Sequence, residues 1–176
     1  MRKLRHEEID RPSADQVRLL PRHPVTVVLD NIRSVHNVGS IFRSSDGALV
    51  ERILLTGITA TPENPQMHKT ALGAQDTVPW SYEPDATVAI DHLRSLGYTI
   101  AVLELTDSSI PVTAVSHDYF PLCLVIGNEL SGVDQSLINQ ADYALEIPQY
   151  GTKQSLNVAV AYGIVIFDLI KILRNR

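Results

Sequence analysis

Three segments of this 176-residue chain concentrate groups that can bind and react, and each follows an apolar run. The last reads Ile147-Pro148-Gln149-Tyr150-Gly151-Thr152-Lys153-Gln154-Ser155-Leu156-Asn157 and leads into an apolar stretch ending at Leu173. A structural helix needs one cap. This segment offers Ser155 as the cap, Asn157 in the first turn, and further polar groups beyond that need. Unpaired backbone N–H groups and the positive end of a helix dipole gather at such a place, so the surplus points to a ligand loop. The first segment runs from Asp30 through Asn31, Arg33, Ser34, His36 and Asn37 to Arg43. The middle one is Gly127-Asn128-Glu129-Leu130-Ser131-Gly132.

Several other chemistries lack their residues. There is no Gly-x-Gly-x-x-Gly and no Gly-x-x-x-x-Gly-Lys-Ser/Thr, so dinucleotide and P-loop nucleotide sites are disfavoured. Ser155 lacks the Gly-x-Ser-x-Gly elbow of a hydrolase. Six scattered histidines and one cysteine make no metal-ligand spacing, and no metal is expected. Cys123 sits in the apolar run Leu122–Ile126 and reads as a small core residue.

The elements that must position these loops alternate. Short β-branched or apolar runs at Val25–Asp30, Arg52–Thr56, Val78–Tyr82, Tyr98–Leu105, Leu122–Ile126 and Tyr143–Ile147 predict strands. Helices are predicted from Asn37, as its N-cap, to Ala48, around Met67–Leu72, from Pro84 in the first turn to Leu96, over Gly132–Gln140, and from Ser155 to Leu173. The strands are continuously rather than alternately apolar, so both faces of the sheet are covered. The expected fold is α/β, a mostly parallel sheet with helices on both faces. Ligands of such sheets bind beyond the carboxyl ends of the strands, where all three polar segments fall.

Hydrophobic residues make up 44% and charged residues 20%, which fits one ordinary globular domain. Val158–Leu173 is interrupted by Asp168 and Lys171, and the N-terminus has no apolar signal segment, so no membrane span is expected and the cytoplasm is the simplest location. The net charge of −5 argues against a general nucleic-acid binder. Its distribution argues the other way: Arg2, Lys3, Arg5, Arg11, Arg18, Arg22, Arg33 and Arg43 face only five acids within residues 1–43. Residues 1–23 read as a basic N-terminal extension and 24–176 as the folded domain.

The segments Asn37-Val38-Gly39-Ser40-Ile41-Phe42-Arg43, Val125-Ile126-Gly127-Asn128-Glu129-Leu130-Ser131-Gly132 and Ile147–Ala161, in this order, resemble the SPOUT class of RNA methyltransferases. Within it they are similar to the TrmH (SpoU) family of ribose 2′-O-methyltransferases, over about residues 24–173. The resemblance implies a C-terminal trefoil knot, S-adenosylmethionine (SAM) held by the knotted loops, a homodimer, and tRNA or rRNA as substrate. The knot comes from the resemblance alone, because topology rules disfavour knots.

By the same resemblance the catalytic set is Asn37, Arg43, Glu129, Ser155 and Asn157. Methyl transfer to a hydroxyl needs alignment and charge stabilisation more than a metal. A guanidinium stays protonated, so Arg43 suits clamping substrate phosphate and stabilising oxyanion charge better than acting as a base. Leu103, Glu104, Gly127, Ile147 and Leu156 are expected to bind the cofactor, with Thr106 beside Glu104. Arg33, His68 and Lys69 are expected to touch RNA phosphate, whereas His36 reads as an exposed loop residue. Many family members carry an RNA-binding domain ahead of the catalytic one. Here about 23 residues precede the first strand, so the core, the dimer partner and the basic extension are expected to hold the substrate. The competing reading is a catalytically silent SAM- or RNA-binding protein on the same fold.

Overall fold

A computed structural model describes residues 1–175. Seven strands form one sheet: β1 His23–Asp30, β2 Val50–Thr56, β3 Trp80–Glu83, β4 Thr99–Leu103, β5 Ile110–Pro111, β6 Leu122–Ile126 and β7 Tyr143–Glu146. Their order is β3-β2-β1-β6-β4-β7-β5, and every pairing is parallel. The helices are α1 Ala14–Leu19, α2 Val35–Gly47, α3 His68–Ala71, α4 Ala86–Ser95, α5 Gln135–Ile138 and α6 Val158–Arg174, with short 3-10 turns between.

The continuous hydrophobicity of β1 and β6 has the expected cause. Val25, Val27, Leu29, Leu122, Leu124 and Ile126 pack with α2, α3 and α6 on one face. Val28, Cys123 and Val125 pack with α4 and Leu137 of α5 on the other. On α2, Val38, Ile41 and Phe42 are fully buried, each side chain contributing about 1.5–3 kcal/mol of hydrophobic stabilisation. A buried hydrogen bond of 2.6 Å between Ser45 and the Tyr162 hydroxyl ties α2 to α6, and burial pushes the Tyr162 phenol pKa up. Gly39 lets α3 approach α2, since a Cβ there would lie 2.1 Å from Thr70 Oγ1 and 2.8 Å from the Met67 carbonyl.

Some boundaries differ from the sequence reading. Helix α2 starts at Val35 and is capped by Ser34, whose Oγ accepts from Asn37 N–H at 3.3 Å, so Asn37 is not the cap. Its carboxamide is thereby free for long-range bonds. Helix α6 starts at Val158, not Ser155; Asn157 Oδ1 caps it by accepting from the N–H groups of Ala159 and Val160 at 2.9 and 3.3 Å. Asp85 caps α4 by accepting from Thr87 N–H, which places Pro84 before the helix rather than in its first turn. Strand β4 ends at Leu103, and the carboxylate of the next residue, Glu104, bonds the loop after β6. The two-residue β5 is too short to leave a hydrophobic pattern.

Residues 1–23 are not wholly detached from the domain. Ser13 and Gln16 form a capping box at α1, the Arg18 guanidinium donates to the Asp76 carbonyl, and Arg22 donates to the carbonyls of Val50 and Thr77. His23 already belongs to β1. Among the described residues no helix is long and apolar enough to cross a membrane.

Candidate cofactor cleft and active site

The carboxyl ends of β4, β6 and β7 lie side by side, and the loops leaving them enclose a cleft of about 600 Å³. Leu103 and Glu104 come from the end of β4, Gly127 from the end of β6, and Ile147 and Leu156 from either side of the last loop. All five residues expected to bind the cofactor therefore line one cavity. Thr106 is outside its lining.

The loop after β6 is tightly built. Asn128 and Gly132 pair through backbone bonds in both directions, and Asn128 Oδ1 accepts from the N–H groups of Leu130 and Ser131. Asn128 Nδ2 reaches across to the Asn31 carbonyl at 2.7 Å. Glu104 closes the other side, accepting from Leu105 N–H and Val133 N–H at 2.9 Å each. Gly132 takes φ +71°, where a side chain is strained, and a Cβ there would meet Glu104 Oε2 at 2.2 Å.

Glu129 joins this loop to the first polar segment. Its Oε2 accepts from Arg33 N–H at 2.9 Å, and its Oε1 from Ser34 N–H at 3.0 Å and Asn37 Nδ2 at 2.9 Å. Partial burial pushes its pKa up, but the bonds from Arg33, Asn37 and Ser34 outweigh that, so the carboxyl titrates below its ordinary value and is ionised at neutral pH. Asn37 Oδ1 in turn accepts from Asn157 Nδ2 at 3.1 Å, while Asn157 Oδ1 is held by α6. Glu129 in the loop after β6, Asn37 in the first turn of α2 and Asn157 at the cap of α6 thus form one chain of bonds at the edge of the cleft. Glu129, Asn157 and Ser155 also line it, and the Ser155 hydroxyl makes no hydrogen bond among the described residues.

Arg43 is placed differently. It stands exposed on α2, outside the cleft lining, and among the described residues its guanidinium has neither a hydrogen bond nor an ion pair. Six residues along a helix separate it from Asn37 by about 9 Å along the axis and about 120° around it. Arg33, also exposed, uses only its backbone N–H at Glu129. His68 is fixed by a 3.2 Å bond between its Nε2 and the Pro62 carbonyl, and Lys69 is exposed on α3 against α2. These side chains border α2 and are not part of the cleft lining. Among the described residues no group of three or more His, Cys, Asp or Glu is placed to hold a metal ion.

The model of the SpoU rRNA methylase family matches residues 24–167, which include the β1–α2 segment, the loop after β6 and the loop before α6. The chain belongs to that family. It is 30% identical over 148 residues to a 23S rRNA (guanosine-2′-O-)-methyltransferase of Blochmanniella floridana, covering 84% of this chain and 58% of that protein. It is 29% identical over 144 residues to a tRNA (guanosine(18)-2′-O)-methyltransferase of Thermus thermophilus, covering 82% of this chain and 73% of that one. The fold matches an AdoMet-bound rRNA methyltransferase from Sinorhizobium meliloti at a TM-score of 0.79, with 27% identity, over 88% of this chain and 59% of that chain. The chain thus spans less than two-thirds of the length of several SpoU relatives.

Sequence reasoning passed over two cleft residues of this SpoU domain. Asn128, inside the Gly127–Gly132 segment, braces that loop and bonds the Asn31 carbonyl. Glu146, the last residue of β7, lines the cleft and accepts from Ser109 Oγ at 2.6 Å. Its signal is its position, a charged residue at the carboxyl end of an expected strand.

Proposed function

We propose that this SpoU-family domain transfers a methyl group from SAM to a ribose 2′-hydroxyl of tRNA or rRNA. The observation that carries the reading is the Glu129–Asn37–Asn157 chain of bonds at the edge of the cleft, assembled from the three segments that carry the family resemblance. The cleft suits SAM chemically. Leu103, Ile147 and Leu156 offer apolar walls, backbone groups at Gly127, Ile147 and Leu156 can recognise adenine and ribose edges, and Glu104 and Glu129 supply negative charge for a cation. When bound, SAM supplies a methyl group activated by its sulfonium. The protein's part is orientation: Asn37 and Asn157 fix the polar edge, Ser155 presents a free hydroxyl, and Arg43 on α2 clamps phosphate and stabilises charge developing on the ribose oxygen. Arg33, Lys69 and His68, bordering the same helix, fit a phosphate-contacting face, with the basic residues 1–23 as an added contact.

The proposal extends to assembly. On α6, Val160, Ile164 and Phe167 recur at helical spacing and are 53%, 40% and 50% exposed, an apolar stripe that a second copy of the chain would cover. Phe167→Glu is expected to turn a homodimer into a monomer in light scattering; a wild-type monomer at micromolar concentration would exclude the dimer. The trefoil knot and a cytoplasmic location belong to the same reading.

Gly127 makes a direct test of the cleft. A Cβ there would lie 2.3 Å from Val133 N and 2.4 Å from the Gly132 carbonyl carbon, both backbone, so the loop must shift. Gly127→Ala is expected to weaken SAM binding about tenfold or more by calorimetry with the circular dichroism spectrum unchanged. Unchanged affinity would place the cofactor elsewhere.

The reaction itself is tested by incubating the protein with labelled SAM and separate pools of unmodified tRNA and rRNA, then digesting to nucleosides. A labelled 2′-O-methylnucleoside is the expected product. Binding of SAM without incorporation into either pool would favour the silent binding protein.

A further inference from the structure

The cleft carries a charge pattern that bears on how cofactor and product are told apart. Glu104, Glu129 and Glu146 all line it, and no lysine, arginine or histidine does. Each carboxylate is held by neutral donors only: Glu104 by the N–H groups of Leu105 and Val133, Glu129 by those of Arg33 and Ser34 and the Asn37 amide, Glu146 by the Ser109 hydroxyl. Among the described residues none of the three forms an ion pair. Their charge is oriented but not neutralised, in a partly enclosed space where screening is weaker than in water.

We infer that Glu104, Glu129 and Glu146 make this cleft select its cofactor by charge, holding the sulfonium form more tightly than the neutral thioether product. The inference rests on the SAM reading of the cleft. In the transfer, the S–CH₃ bond breaks, an O–CH₃ bond forms and the hydroxyl proton leaves to solvent. The cofactor therefore loses one positive charge while keeping nearly the same shape. Apolar walls do not sense that change and backbone dipoles sense it less than a full charge does; uncompensated carboxylates sense it most. The result is tighter capture of SAM and easier release of S-adenosylhomocysteine.

Glu146 is the probe of choice because it stands outside the catalytic network and its one bond is to a serine hydroxyl that a glutamine oxygen can also accept. Affinities for SAM, for S-adenosylhomocysteine and for sinefungin, which carries an amine in place of the methylsulfonium, are measured by calorimetry on the full chain. Wild type is expected to bind SAM and sinefungin at least fivefold tighter than S-adenosylhomocysteine. Glu146→Gln is expected to weaken the two cations several-fold and leave the thioether within twofold. Equal or tighter binding of the thioether by wild type, or equal weakening of all three ligands in the variant, overturns the inference. A protein that binds none of the three fails earlier, at the SAM reading itself.

Discussion

Arg43→Ala is expected to lower methyl transfer about a hundredfold or more while leaving both SAM affinity and thermal stability nearly unchanged. The two halves of that result have separate causes. Arg43 is exposed, lies outside the cleft lining and has no hydrogen bond or ion pair among the described residues, so truncation breaks no polar bond there. Exposed substitutions of this kind shift stability by about 0.5 kcal/mol or less. Yet a permanently charged, planar donor set is well suited to an RNA phosphate or a developing oxyanion. Arg43→Lys should recover only part of the rate, because an ammonium cannot reproduce bidentate geometry. Single-turnover transfer, SAM calorimetry and a melting curve on the same samples decide the matter. Joint loss of SAM binding and folding would make Arg43 structural.

Glu129→Ala should damage activity and stability together. Its carboxylate accepts from Arg33 N–H, Ser34 N–H and Asn37 Nδ2, and removing it leaves three donors without their acceptor. A buried donor left unsatisfied costs about 1–3 kcal/mol, and solvent access at the exposed Arg33 keeps the total toward the low end. Asn37 would also lose the bond that aims its oxygen at Asn157, so transfer should fall by about two orders of magnitude or more. Glu129→Gln keeps the acceptor oxygen and should lie between wild type and Glu129→Ala.

The pH dependence has a definite sign. The folded-state pKa of Glu129 lies below its unfolded value. Its stabilisation is therefore present above the unfolded pKa, about 4.3, and is lost as pH falls through the lower folded value. The stability gap between wild type and Glu129→Ala should be constant near neutrality and close only in acid. A gap that instead widened in acid would contradict the hydrogen-bond account.

Much of the architecture was readable from local pattern. Continuous apolar runs predict parallel strands, and all six lie within two residues of the expected ends. The edge strand β3 has no buried residue, but in β1 and β6 burial on both faces leaves a composition signal at nearly every position. The two-residue β5 left none. Helix starts were less legible. Ser34 and Asn37 are both good caps, as are Ser155 and Asn157, and propensity alone cannot choose between them. The choice was made by distant partners: Asn37 is drawn off by Glu129, 92 residues away, and Asn157 bridges to Asn37, 120 residues away, while capping α6.

The same division runs through the site. By itself the sequence determined the parallel α/β class, the three polar segments at strand ends and the motifs that mark the SpoU family, because each is written in contiguous residues. Only the tertiary structure decided that Glu104, Glu129 and Glu146 line one cleft without a cation, that Glu129, Asn37 and Asn157 share one chain of bonds, and that Arg43 stands apart on α2. Those facts depend on strand order, which sets β6 between β1 and β4 and β7 beside β4. Strand order is fixed by long-range packing, and that packing leaves no period in the chain.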